Sequence, residues 1–170
     1  MNRVIELLKS TNRTGTENLI DYLQKSNYAT ARCYKHHKYR GGLVDHSLEI
    51  YELMKEQHRE LADESLIICA LCHDLGKSKH RGYTFSKDIS HPRRSIAILD
   101  RCGFELTQQE RAAILSHHHT PKTSLHICLT SSDMISTGRW KQANPDPRWS
   151  IADRIKNETM YQAGIALSKL

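Results

Sequence analysis

Seven side chains of two chemical kinds punctuate the middle of this 170-residue chain: His46, His73, Asp74, His91, His117, His118 and Asp133. Neutral imidazoles with carboxylates form a harder ligand set than thiolates do, suited to Mn, Co, Fe or Zn, with Mg also admitted by the carboxylates. His73 and Asp74 close a strongly apolar stretch, Leu66–Cys72, and two such groups are costly to bury unless something pairs with them. Adjacent side chains on a helix diverge by about 100°, so that pair alone makes no compact site. Further ligands must come from other helices, and His46 and Asp133 are the best suppliers. A divalent ion held this way lowers the pKa of bound water and polarises a substrate oxygen, which is the chemistry of metal-assisted hydrolysis.

Such a reaction on an anionic substrate, which the basic balance of the chain favours, also needs cations around it. Lys77, one turn past His73, is the first candidate, with Arg40, Arg81, Arg93 and Arg94 behind it. Arg93 and Arg94 open a helix, where positive charge opposes the macrodipole, a small misfit that hints at an anion nearby. His36 and His37 either line a substrate mouth or stand solvated in a loop. Tyr39 either stacks on a base or packs. Asp45 could orient a ligand, with simple exposure as the default, whereas Glu49 and Asp100 have no motif partner. The run Cys69-Ala70-Leu71-Cys72-His73 formally matches haem-attachment spacing, but it lies in an apolar run without an export signal. Cys69 and Cys72 read instead as small core residues.

The elements that must carry these groups are helical. Alternating patterns are nearly absent, 3.6-residue periodicity recurs, and the chain holds only 4 prolines and 8 glycines. The reading is an all-α bundle of about seven or eight helices with no sheet. Met1–Lys9 is a short helix with Val4, Leu7 and Leu8 inward. Thr14-x-x-Glu17 has capping-box spacing and opens a helix to about Ser26. Asn27–Gly42 is a loop, and Gly41-Gly42 releases the chain into a helix from Leu43 to about His58. Asp63–His73 reads as a central helix buried on most sides. Pro92 suits a first helical turn of a helix through Arg101. Thr107-x-x-Glu110 is a second capping box, opening a helix to about His118. Helices over Leu125–Thr137 and Ser150–Ala166, the last one amphipathic, complete the set.

Bulk properties narrow the class. The length suits one domain spanning residues 1–170. The longest apolar stretch falls far short of the roughly 20 residues of a membrane span, and the N-terminus lacks a long apolar leader segment. The expectation is a cytoplasmic protein without a membrane role. Five cysteines, an odd count, read as free thiols in a reducing compartment. A formal charge of +6 favours anionic partners.

The order His46, His73-Asp74, Asp133, together with His-Asp-Leu-Gly-Lys at 73–77 and Gly-Gly-Leu-Val-Asp-His-Ser at 41–47, resembles the HD superfamily of metal-dependent phosphohydrolases. The motifs span roughly residues 36–137. The resemblance implies a metal held by His46, His73, Asp74 and Asp133. Some HD proteins hold a second ion through two further histidines, and His91 and His117 stand in the right order for it, with His118 competing for the place of His117. Asp74 would then bridge the ions. Alternatively His91 acts as a general acid or a phosphate contact.

The leading expectation is cleavage of a phosphoester or phosphoanhydride bond in a nucleotide, favouring a (deoxy)nucleoside triphosphate or monophosphate. Lys77, Asp74 and His91 are the catalytic candidates, and Arg40, Lys77, Arg81, Arg93, Arg94, His37 and Tyr39 the substrate-binding ones. The Gly-Gly-Leu stretch is similar to that of 3′–5′ exoribonucleases of the HD type, but room for their nucleic-acid-binding domain is lacking. The Gly-Tyr-Pro extension of the cyclic-dinucleotide enzymes is replaced by His119-Thr120-Pro121. A dinucleoside tetraphosphatase stays open. So do a di-iron oxygenase and a non-catalytic nucleic-acid binder, and homo-oligomerisation is a further expectation.

Overall fold

The structure, a computed structural model, describes residues 1–170. It contains eight α-helices: α1 (Asn2–Ser10), α2 (Thr16–Lys25), α3 (Gly42–Gln57), α4 (Asp63–Cys72), α5 (His91–Arg101), α6 (Gln108–Ser116), α7 (Ser124–Ala143) and α8 (Ile151–Leu167). Single 3₁₀ turns lie at Tyr28–Thr30 and Leu75–Lys77. There is no strand, only an isolated bridge between His80 and Tyr83.

α4 is the axle. Every residue from Leu66 to Cys72 is buried, as expected of a helix apolar all round. Each large aliphatic side chain so covered contributes about 1.5–3 kcal/mol. α1, α3, α6 and α7 all pack against it. The five cysteines are free and buried.

The N-terminal ends of α4 and α6 are tied together by charge. Glu110 is fully buried, accepts the Thr107 N–H in a complete capping box, and receives both the Ser65 hydroxyl and the Arg13 guanidinium. Arg13 also reaches Glu64. A buried carboxylate needs such partners, and losing one partner of a buried pair costs about 3–5 kcal/mol. With their N-terminal ends clamped, α4 and α6 carry their C-terminal ends, and hence His73 and His117, to one side of the molecule.

Several boundaries differ from the sequence reading. The capping box at Thr14 does not form: Gly15 is the N-cap, in the left-handed region at φ 82°, and no side chain caps the helix. A Cβ at Gly15 would overlap the Gly103 carbonyl, so close approach to that backbone dictates the local turn. α6 ends at Ser116, which leaves His117 and His118 beyond the helix, and α7 runs to Ala143, past the expected Thr137. α8 buries only Gly164 and exposes Ile151 and Ile155. It rests on α7 and does not enter the core. No helix is long and apolar enough to cross a membrane.

Candidate metal centre

Five helices deliver ligand atoms to one buried point. α3 brings His46 from its second turn, α5 brings His91 as its first residue, and α7 brings Asp133 from its middle. His73 and His117 each stand just past the end of a helix, α4 and α6 respectively.

The same device fixes both of those last histidines. The last carbonyls of a helix lack intrahelical partners. His73 Nδ1–H donates to the Ala70 carbonyl (2.9 Å), and His117 Nδ1–H donates to the Ile114 carbonyl (2.7 Å). Each ring is thereby held as the tautomer whose Nε2 lone pair is free. The two helix C-termini also carry partial negative charge, which favours a cation there.

His46 is set by a longer chain. The Ser136 hydroxyl donates its one proton to Glu49 (2.7 Å). It can therefore only accept from His46 Nδ1–H (3.0 Å), and His46 Nε2 is left with a lone pair. Glu49 also accepts from His37 Nε2–H (3.2 Å), which leaves His37 Nδ1 to accept from His36 Nδ1–H (3.0 Å). These tautomers follow from the network of partners.

The Asp74 carboxylate stands between two groups of imidazoles. Its Oδ2 lies 3.4 Å from His73 Nε2 and 3.8 Å from His46 Nε2, and it receives the Lys77 ammonium. Its Oδ1 lies 3.2 Å from His91 Nε2 and 3.9 Å from His117 Nε2. Asp133 Oδ1 lies 3.2 Å from His46 Nε2, and its Oδ2 lies 4.0 Å from His118 Nδ1. His118 Nε2 is 3.0 Å from His91 Nε2.

The chemistry of this set fits a cation. His46 Nε2, His73 Nε2, Asp74 Oδ1 and His117 Nε2 are buried with no hydrogen-bond partner, a state that costs about 1–3 kcal/mol per group unless something binds it. The candidate ligand atoms of His46, His73 and Asp133 lie within 4.8 Å of one another, as do those of His73, Asp74 and His117, and those of His91, His117 and His118. The three groups overlap at His73 and His117, and Asp74 reaches both sides, Oδ2 toward His46 and His73 and Oδ1 toward His91 and His117.

Charge states agree with that fit. Burial acts to raise the Asp74 carboxyl, but His73 and Lys77 outweigh it and hold Asp74 well below the ordinary range. Burial opposes ionisation of Asp133 too, and His46 reverses the balance. Burial, reinforced by His73, pushes the His117 ring down to about 3, and burial lowers His46 as well. His73 moves the other way, since Asp74 outweighs its burial.

The remaining candidates divide. Arg40 lines a pocket together with Lys77. Arg94 is half-buried over Gly76, its Nε without a partner. Arg93 is exposed on α5 and Arg81 is exposed between His80 and Tyr83, and neither makes a contact with the centre. Tyr39 donates to Asp45 (2.9 Å) and is 45% exposed. Asp45 thus holds a tyrosine at the rim and orients no ligand. Asp100 pairs with Arg111. His36 and His37 are not a solvated loop pair: both are buried and pack against the His46 ring, at centroid distances of 4.3 and 5.0 Å. Gly42 explains why, because a Cβ there would overlap the His37 carbonyl. Cys33 joins His36 and His46 in a fourth compact group, but burial pushes its thiol up to about 12.

Sequence reasoning missed Ser136 and Cys33 and left Glu49 without a role. A serine three residues after Asp133 gives no signal until α3 and α7 are packed together.

The family model of the HD domain matches residues 43–157, which contains all seven of these ligand candidates. The chain belongs to the HD domain family. Membership in the HD family implies metal-dependent phosphohydrolase activity in general and divalent-metal binding, in keeping with the His/Asp clusters of this chain. Searches of curated proteins and of solved structures return no match.

Proposed function

We propose that this HD protein hydrolyses a phosphoester or phosphoanhydride bond of a nucleotide. The supporting observation is the set of four buried, unpartnered ligand atoms, on His46, His73, Asp74 and His117, beside a basic wall that includes Lys77 and Arg40. One divalent ion would be held by His46, His73, Asp74 and Asp133. A second would be held by Asp74, His91 and His117, with His118 at its rim. His117 is the better ligand of that last pair, since it is buried and its Nδ1 is already committed, whereas the His118 side chain is half exposed. When bound, such ions lower the pKa of water and polarise the phosphoryl oxygen.

The chain's own residues supply the rest. The Lys77 ammonium, anchored on Asp74, neutralises charge that develops on the phosphoryl oxygens. Arg40 and Arg94 stand near enough to Lys77 and Gly76 to hold the substrate's anionic part. Water forms a new O–P bond, the P–O bond to the leaving group breaks, and the leaving oxygen takes up a proton. The imidazoles at the rim, His118 foremost, are exposed enough to exchange with solvent the proton that the attacking water loses and to return one to the leaving oxygen.

A phosphate-release panel over nucleoside mono-, di- and triphosphates, cyclic nucleotides and dinucleoside polyphosphates, with Mn, Co, Mg and Zn in turn, tests this. Release should require a divalent metal and proceed without oxygen. Asp74→Ala should lose about a thousandfold or more, matching the several kcal/mol that metal activation supplies. Oxygen-dependent turnover would point to oxidative cleavage. Salt-sensitive nucleic-acid binding that survives Asp74→Ala, with no phosphate released, would point to a binder.

A further inference from the structure

Lys77 belongs to two environments. Its ammonium meets Asp74 at the centre, and its side chain also walls a separate pocket of about 430 Å³, within the size range of small-molecule sites. Arg32, Arg40 and Lys79 line the same pocket, with Tyr34 and Thr30. The only ion pair among these four cations is Lys77 with Asp74. Arg32, Arg40 and Lys79 share a lining that includes no acid, and the local excess of positive charge favours an anion.

The walls are built. The Asn27 N–H donates to the Lys79 carbonyl (3.0 Å), and the Lys79 N–H donates back to the Asn27 side-chain oxygen (2.6 Å). On the other side the Leu43 N–H donates to the Ala31 carbonyl (3.0 Å), and the Cys33 N–H to the His37 carbonyl (3.3 Å). Two chain segments are thus pinned with their cations toward one space. Tyr34, 70% exposed, adds an aromatic ring at the edge.

We infer that this pocket receives the non-reacting phosphates of a nucleotide that carries at least two, with Tyr34 against its base. The inference rests on the phosphohydrolase reading above and narrows its substrate. A single phosphate at Asp74 occupies only the inner side of Lys77 and leaves three cations unmatched. A phosphate chain that crosses Lys77 satisfies both sides. Charge-assisted contacts to phosphate are strong, and a π-face beside them accepts any base.

The test uses the full chain. In EDTA, inorganic tripolyphosphate and inorganic phosphate are each titrated calorimetrically into the wild type, into Arg32→Ala/Lys79→Ala, and into Arg154→Ala, an exposed residue outside the pocket lining, as a surface control. Tripolyphosphate binding should weaken on the order of tenfold per cation removed, and inorganic phosphate, which spans fewer of these cations, by markedly less. Arg32 and Lys79 are both exposed, and matching melting curves confirm that the double variant folds. With Mn present, the double variant should raise KM for a nucleoside triphosphate by a similar factor and leave p-nitrophenyl phosphate turnover unchanged. Tyr34→Ala should weaken the nucleoside triphosphate several-fold and tripolyphosphate not at all.

Unchanged tripolyphosphate binding in the double variant, or equal losses for tripolyphosphate and phosphate, overturns the pocket assignment. Equal effects of Tyr34→Ala on both ligands overturn the base contact. If the wild type releases phosphate from no ester yet shows the expected binding losses, the hydrolytic reading fails and the polyphosphate pocket stands.

Discussion

A metal ligand works only if the lone pair is on the right nitrogen, and here each buried ring has that choice made by its other nitrogen. Ala70 and Ile114 carbonyls set His73 and His117. Ser136 sets His46. Ser136→Ala should therefore leave the fold intact and weaken metal binding by roughly 10–100-fold, the usual effect of removing the partner behind a ligand. A competition titration with a chelating dye reads this directly, and unchanged affinity would show that His46 is oriented by something else. Legibility at this scale follows sequence distance. The His73-Asp74 pair carries its own signal, because two strong ligands close an apolar run. Ser136 carries none, because its partner is 90 residues away and meets it only through helix packing.

At the scale of elements, the centre depends on how helix ends are placed. The turn after His73 docks onto α5 through Ser95, which accepts the Gly76 N–H (2.8 Å) and donates to the His73 carbonyl (2.8 Å). A Cβ at Gly76 would come within 2.2 Å of the His91 carbonyl and 2.8 Å of Arg94 Cβ. Gly76→Ala must push α5 away and carry His91 with it. It should cost about 1–3 kcal/mol of stability and reduce metal occupancy. A thermal melt and a metal assay check the two effects, and wild-type values in both would refute this account of the turn. The helices themselves were legible from periodicity, and Thr107-x-x-Glu110 closed as expected. Thr14-x-x-Glu17 has the same spacing and did not, since the Gly15 backbone lies against Gly103 and Phe104. Local signals held where no tertiary contact overruled them. His118 was expected inside α6 and lies beyond it, which brings both His117 and His118 to the centre.

Across the whole molecule, burying so many histidines makes stability depend on pH. Burial, with help from neighbouring rings, depresses His36 to about 2 and His117 to about 3, against an ordinary 6.5, and His46 is lowered too. Below pH 6.5 the unfolded chain takes up protons that the folded chain refuses, so stability falls as pH falls. Each such ring costs up to about 1.4 kcal/mol per pH unit in that window. His73, raised by Asp74 against its burial, contributes in the opposite sense, but five lowered rings, His118 and His126 included, outweigh one. Asp74 and Asp133, held low, stabilise above the ordinary carboxylate pKa and lose that contribution as pH falls further. The metal-free protein should thus melt several degrees lower at pH 5.5 than at pH 7.5 in EDTA, and a flat profile would contradict the burial of these rings as neutral groups.

The central claim is that imidazoles and carboxylates from separate helices share one cation centre. Anomalous diffraction from crystals grown with manganese tests it most directly. The account predicts two peaks, one coordinated by His46, His73, Asp74 and Asp133 and the other by Asp74, His91 and His117. No peak at this point, or manganese bound by other side chains, would contradict it.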